Sequence, residues 1–473
     1  MSDATLQPET TDAVEPNGQR HRLGVLRPLK IRDFRLLWTG MTVSFLGDGI
    51  YVVALAWQVY AISNTPTALS VVTFAMSVPL ISLLLFSGVL SDRFDRRLVM
   101  IAGDLFRFAA VGIAATLAIT GVIEVWHLVV LSAFYGVGEA LFYPAFGAVV
   151  PDIVPTDLLT EANSLDGFVR NGAERLIGPA LGGVLIGVFG VGWALMFDAL
   201  TFLVSIAMLL LIRHRPQVVA EAPAPALQEI KEGFSYARSQ PWLIATLLSA
   251  LVTVLFIMGP ARVLIPFVVK NELGGSAGDL GIVYTAGGIG AIVGAILLGQ
   301  RGLPRRHILF LYMCFGTGVS LRLFYAFVQE LWQAIALEAM TWLAFSWGQI
   351  AWMTLMHKLV PSRLRGRVTS LDWLISLGLF PVSLIAAGPL AEAIGVRETM
   401  FMAGLFGGIA TFAFLLWPGV RDTERTGMSV TEVPGAGEDH GDAVLVGGGD
   451  DLLVSHGTSG LDDRGGTGGD GRV

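Results

Sequence analysis

Residues 88–100, GVLSDRFDRRLVM, place five charges in the six positions from Asp92 to Arg97. The apolar run TALSVVTFAMSVPLISLLLF (67–86) precedes them, and LVMIAGDLFRFAAVGIAATLAI (98–119) follows. A helix needs roughly 20 apolar residues to cross ~30 Å of hydrocarbon. Both runs meet that length, so the charged stretch reads as the turn between two membrane spans. The composition agrees: 53% of the 473 residues are hydrophobic and 15% are charged, with a mean hydropathy of +0.66. These are the proportions of a polytopic membrane protein.

Twelve such runs occur, near 36–58, 68–90, 98–120, 125–150, 168–189, 193–212, 243–266, 278–299, 308–328, 331–355, 368–392 and 399–417. They do not alternate at period two, which argues against barrel strands of ~10 residues. The expected fold is an all-α membrane protein with twelve transmembrane helices. Lys and Arg set the orientation. Loops after even-numbered spans hold sixteen of them, Arg93, Arg96 and Arg97 included, whereas loops after odd-numbered spans hold two, Lys270 and Arg397. Both termini are therefore expected in the cytoplasm of a cell with this protein in its inner membrane. The first 32 residues lack an apolar h-region and a cleavage site, so no cleaved signal peptide is expected. One cysteine, Cys314, excludes an internal disulfide.

The chain also repeats. Residues 154–166, VPTDLLTEANSLD, and 360–372, VPSRLRGRVTSLD, share Val, Pro, Leu, Ser, Leu and Asp at a shift of 206, each following an even span. Six spans thus map onto six, the plan of many secondary transporters, with the substrate site between the halves near mid-membrane. The predicted organisation is a cytoplasmic tail (1–32), a six-helix bundle (33–213), a cytoplasmic linker (214–240), a second six-helix bundle (241–418) and a Gly/Asp-rich disordered tail (419–473). IKEGFSYAR in the linker suits a short amphipathic helix on the inner surface.

The hinge Gly88-Val-Leu-Ser-Asp92-Arg93-Phe-Asp95-Arg96-Arg97 resembles the loop pattern G-x-L-a-D-R-x-G-R-[RK] of the major facilitator superfamily, with Asp95 in place of the usual Gly. GEALFYPAFGAVVPDIVPTDLLTEANSL (138–165) resembles the bacterial exporter branch of enterobactin and macrolide efflux proteins. Gly178-Pro179-Ala-Leu-Gly182-Gly183 resembles the superfamily's antiporter motif. The resemblance covers roughly 33–418 and implies the two-bundle major facilitator fold, proton-driven export and alternating access. It also implies a gating latch at Asp92 with Arg93, Arg96 and Arg97, made in one rocking state and broken in the other. Small residues of the antiporter motif suit close helix packing.

Ionisable groups inside spans are costly and therefore informative. Asp48 sits mid-span between Gly47 and Gly49, and Glu139 near the middle of the fourth span. Neither has an opposite charge close in sequence, so both are candidates for proton coupling. Asp104 and Arg107, at i and i+3, share a face and are expected to form a structural pair. Asp198, Arg262 and Arg322 fall toward outer ends, where snorkelling is available, and are set aside. Aromatic and polar residues at helical spacing suggest a cavity for bulky amphipathic compounds: Tyr51, Tyr135, Tyr143, Glu338, Trp342, Phe345, Gln349 and Trp352. No G-x-x-x-x-G-K-[ST] and no H-E-x-x-H occurs, so neither ATP hydrolysis nor zinc proteolysis is indicated. The expectation is a non-enzymatic exporter of a small molecule, embedded in the bilayer as a monomer. It would use the proton gradient without cofactor, metal or nucleic acid. A proton-coupled importer or a receptor on the same fold is the alternative.

Overall fold

The computed structural model describes residues 24–213 and 226–420, with the side chains at 84–86, 88–89, 91–93, 226–230 and 377 outside the description. Among the described residues every regular element is helical. The long helices are α1 (Arg32–Ile62), α2 (Pro66–Arg93), α3 (Arg96–Thr120), α4 (Val125–Ile153), α5 (Thr156–Phe189), α6 (Val191–Leu211), α7 (Pro241–Glu272), α8 (Ala277–Arg301), α9 (His307–Phe327), α10 (Leu331–Leu359), α11 (Ser362–Ile394) and α12 (Val396–Leu416). Eleven are long and apolar enough to cross a membrane. The exception is α10, whose 29 residues include Gln333, Glu338, Gln349 and several tryptophans. Length holds there, but the polar and indole content lowers its hydropathy.

Large apolar side chains are exposed on many helices, among them Val184, Val188, Phe189, Trp193, Leu210 and Ile409, each more than half exposed. Spread over the outer surface, they suit a hydrocarbon solvent rather than water. The expected tails lie mostly outside the described residues, at 1–23 and from 421 onward, as does 214–225 of the linker. The rest of the linker forms the helix Ala226–Ser239, anchored on α10 and α11. The Tyr236 hydroxyl donates to the Leu359 carbonyl at 3.3 Å, and Arg367 pairs with Glu232.

The repeat seen in sequence is repeated in backbone. Val154 and Val360 end α4 and α10 in the same extended conformation, φ −106° and −99°. The shared leucines Leu165 and Leu371 are both buried. The correspondence reaches further back than the sequence motif. Glu124 and Glu330, at the same shift, both cap 29-residue helices through a reciprocal box with the third residue, His127 or Gln333.

Candidate functional site

The first buried charge cluster is built around α3. Asp104 and Arg107 share a face of that helix, and the guanidinium Nη2 donates to Asp104 Oδ1. Ser205 on α6 donates to the other Asp104 oxygen at 2.6 Å. Arg107 Nη1 stands 3.5 Å from Asp48 Oδ2 on α1, and the Tyr135 hydroxyl of α4 donates to Asp48 Oδ1 at 2.7 Å. The guanidinium lies between the rings of Phe142 (4.4 Å) and Phe202 (4.6 Å). That geometry suits a desolvated cation, for which each ring contributes on the order of 1–2 kcal/mol. Glycines admit this crowding. A Cβ at Gly138 would come 2.6 Å from Arg107 Cγ, and one at Gly47 would overlap the carboxyl of Asp198.

Asp48, which has no opposite charge close in sequence, has one in space. Arg107 bridges Asp48 and Asp104, which lie 56 positions apart on separate helices. Glu139 is half-buried, and its Oε2 has no hydrogen-bond partner.

A second cluster joins α9 to α10. The chain narrows to a 3-10 turn over Leu321–Phe327, which eclipses residues three apart and so stacks Arg322 with Tyr325. Arg322 grips Glu338 with both terminal nitrogens, at 2.6 and 3.3 Å. Tyr325 donates to Glu338 Oε2 at 3.2 Å and the Trp342 indole to Oε1 at 2.8 Å. The sequence reading set Arg322 and Asp198 aside as snorkelling groups. Both are 0% exposed, so neither reaches an interface. Arg262 is half-buried.

Helices α1, α2 and α5 meet α7, α8 and α11 along one seam. Gly183 on α5 abuts α8, where an added Cβ would lie 2.8 Å from Gly278 Cα. Gly178 and Gly182 of the same motif face α1, with Gly178 against Gly49 and Gly182 against Ile50. A Cβ on Gly49 would also come 3.0 Å from the ring of Pro179. Tyr60 donates to the Val263 carbonyl at 2.7 Å, Asn64 to Asn271 at 2.8 Å, and the Thr67 amide to Glu392 at 3.0 Å. The Gly388 amide donates to Ser70 at 2.7 Å, and Lys270 donates to the Tyr60 carbonyl. The residues of these hydrogen bonds lie toward the ends of α1, α7 and α11 and the start of α2, so one end of the seam is closed. At the opposite end the described contacts stay on one side of it: Arg96 with Asp152 (2.6 Å), Arg97 with the Ile212 carbonyl (2.7 Å), and Arg170 with Asp166 (3.4 Å).

Midway along α5, Arg175 is exposed, yet its guanidinium stacks on Trp342 of α10 at 4.4 Å. The Arg175 backbone itself packs on α8, where a Cβ on Gly288 would lie 2.6 Å from its carbonyl oxygen, and Thr285 donates to the next carbonyl, that of Leu176, at 3.0 Å. The eight residues expected to line a cavity do not share one surface. Tyr143, Trp342 and Phe345 are half-buried and Gln349 is exposed, whereas Tyr51, Tyr135, Glu338 and Trp352 are buried. Tyr51 stacks on Tyr135 at 4.4 Å, and the Trp352 indole donates to Asp372 at 3.0 Å. Packing and buried hydrogen bonding claim those four. The side chains of Gly88, Asp92 and Arg93 lie outside the described residues. Asp95, the departure from the hinge pattern, caps α3 by accepting from the Arg97 amide at 2.9 Å. A signal for the missed acid was present: Asp198, Thr201 and Ser205 form a polar stripe at helical spacing on an otherwise apolar α6.

A family model described as "Transmembrane secretion effector" matches residues 23–433. The macrolide efflux protein A of Streptococcus pyogenes is 25% identical over 383 residues, covering 78% of this chain and 92% of that protein. The multidrug efflux pump Tap of Mycolicibacterium fortuitum is 29% identical, covering 78% and 91%. In architecture the chain is similar to a bacterial homologue of the lysosomal transporter Spinster in an inward-facing, unoccupied conformation. The TM-score is 0.64 at 15% identity, covering 86% of this chain and 100% of that one.

Proposed function

Because the chain belongs to the transmembrane secretion effectors of the major facilitator superfamily, we propose that it exports small amphipathic molecules across the inner membrane by proton antiport and alternating access. In this reading α10 also spans and completes the count of twelve, with Glu338 and the Trp352 indole sheltered between helices, and the twelve form two bundles of six. The Lys/Arg bias puts both termini in the cytoplasm. The closed end of the seam then faces outward, and the end bearing Arg96, Arg97 and Arg170 faces inward.

The observation that carries the reading is the imbalance on α1, α3, α4 and α6. Asp48, Asp104 and Asp198 are buried and Glu139 is half-buried, while Arg107 pairs with just two of these acids, Asp48 and Asp104, among the described contacts. Adding or removing a proton there decides which acid Arg107 holds, and so biases how α1 and α4 sit against α3. Asp48 and Glu139 are the proposed coupling pair. Asp92 is the proposed latch of the charged turn. The similarity to drug-efflux proteins supports this substrate class and this direction.

The test is transport in proteoliposomes under an imposed pH gradient, with ethidium and a macrolide as probes. Uphill export should follow the gradient and collapse in Asp48→Asn combined with Glu139→Gln. Accumulation that ignores the gradient in wild type would remove the antiport reading. Asp92→Asn should slow transport without unfolding the protein, and a wild-type rate would reduce the charged turn to a topological signal.

A further inference from the structure

We propose that Asp198 is a proton-binding site, held as the uncharged carboxylic acid in this arrangement of the helices. The proposal deepens the antiport reading and adds an acid that neither the charged turn nor the Asp48–Glu139 pair includes. Asp198 lies on α6 and is 0% exposed. Neither of its carboxyl oxygens has a hydrogen-bond partner. Oδ1 presses on α1 where Gly47 lacks a side chain, in the space a Cβ would fill. Thr201 Oγ1 shares that space, but its hydroxyl donates to the Asp198 backbone carbonyl at 2.7 Å. An ionised carboxylate can only accept hydrogen bonds, whereas a carboxylic acid also carries an O–H that can donate.

The groups facing Asp198 are otherwise engaged. On α3, Arg107 pairs with Asp104 and stands 3.5 Å from Asp48. On α1, Asp48 is itself an acid, and the Tyr51 hydroxyl meets Ser132 at 3.4 Å. On α4, Tyr135 donates to Asp48. The part of α5 that packs on α6, Gly178–Phe189, carries no titratable group. An ionised carboxylate walled in by committed donors and other acids is the costliest state available to it, and taking up a proton removes that cost. Arg107 packs over Phe202 of α6 and, though its terminal nitrogens are taken by Asp104 and Asp48, keeps a buried Nε without a partner; a shift of α6 against α3 as the proton leaves would bring the carboxylate to it. Loading forms one O–H bond on Asp198 with a proton from water on the side then open. Release breaks that bond, returns the proton to water on the other side, and leaves a carboxylate for Arg107.

The experiment is pH-dependent infrared difference spectroscopy of the full chain in phosphatidylethanolamine–phosphatidylglycerol liposomes, in H2O and D2O, with no substrate added. Wild type should show a carboxylic C=O band that is deuterium-sensitive. Asp198→Asn should lose it, Asp198→Glu should keep it at a shifted frequency, and Asp48→Asn should retain it. A carboxylic C=O region unchanged in Asp198→Asn overturns the proposal. So does loss of the band when sodium chloride replaces choline chloride at fixed pH, since Asp198 would then bind a metal cation. The band needs no transport. Its loss in Asp198→Asn beside wild-type ethidium export that ignores a pH gradient would keep this site and remove the antiport reading. The reverse pair of results would do the opposite.

Discussion

Without the guanidinium of Arg107, Asp104 would keep one serine hydroxyl and Asp48 one tyrosine hydroxyl, at 2.6 and 2.7 Å, in a site closed to water. Breaking a buried pair by deleting one partner costs about 3–5 kcal/mol, because the remaining charge has nowhere to go. Arg107→Met should therefore lower the thermal unfolding midpoint of the detergent-solubilised protein sharply. Adding Asp104→Asn should recover part of the loss, because the stranded charge goes with it. Equal midpoints for the single and double variants would mean that Asp104 is not the acid Arg107 neutralises. Tyr135→Phe should cost less, about 1–3 kcal/mol, as it strands only one acceptor of Asp48. These residues were unevenly legible. The pair Asp104 and Arg107 could be read from i, i+3 spacing on one helix. The Arg107–Asp48 contact could not, because it is made by two helices crossing. Arg322 was misjudged by counting depth along an ideal helix, whereas a 3-10 turn carries it inward to Glu338.

At the scale of elements, α5 shows how one short motif serves two interfaces. Gly178 and Gly182 face α1 within the same six helices, and Gly183 faces α8 across the seam. Sequence pattern marked the motif as a packing surface but could not divide it, since the division depends on which helix lies on each side. The division makes a prediction. Gly183→Val should wedge α5 from α8 at the closed end and favour the opposite rocking state. A maleimide should then label Asn64→Cys faster in the Gly183→Val background than in its absence, on a scaffold whose own Cys314 is buried. Gly147→Ala is the control, for its Cβ would meet nothing within 4 Å. Unchanged labelling would mean that Gly183 does not set the seam's balance. The repeat was better served by sequence. Thirteen residues at a shift of 206 located equivalent turns before α5 and α11, and the backbone extends that equivalence to Glu124 and Glu330. Those caps escaped notice because a capping box is a three-residue relation in a loop, with His in one copy and Gln in the other.

For the whole molecule, alternating access requires the closed end of the seam to open in each cycle. Two hydrogen bonds there are buried, Tyr60 to the Val263 carbonyl and the Gly388 amide to Ser70, while three are peripheral: Asn64 with Asn271, the Thr67 amide with Glu392, and Lys270 with the Tyr60 carbonyl. The three peripheral ones contribute little each, about 0.5–1.5 kcal/mol for the neutral pair and about 1.5–3 kcal/mol for those to a charged group. Small terms of this kind let two arrangements of the same helices differ by only a few kcal/mol, as a rocking transporter needs. A covalent strap across them should remove that freedom. Asn64→Cys with Asn271→Cys, joined by a short cleavable thiol crosslinker, should stop export in proteoliposomes. Reductive cleavage of the linker should restore it, and each single variant treated with the same reagent should continue to transport. The comparison separates immobilisation from chemical damage, since the singles carry the modification without the strap. Export at an undiminished rate by the fully crosslinked double variant would show that this end stays closed throughout the cycle, and the alternating-access reading would have to be abandoned.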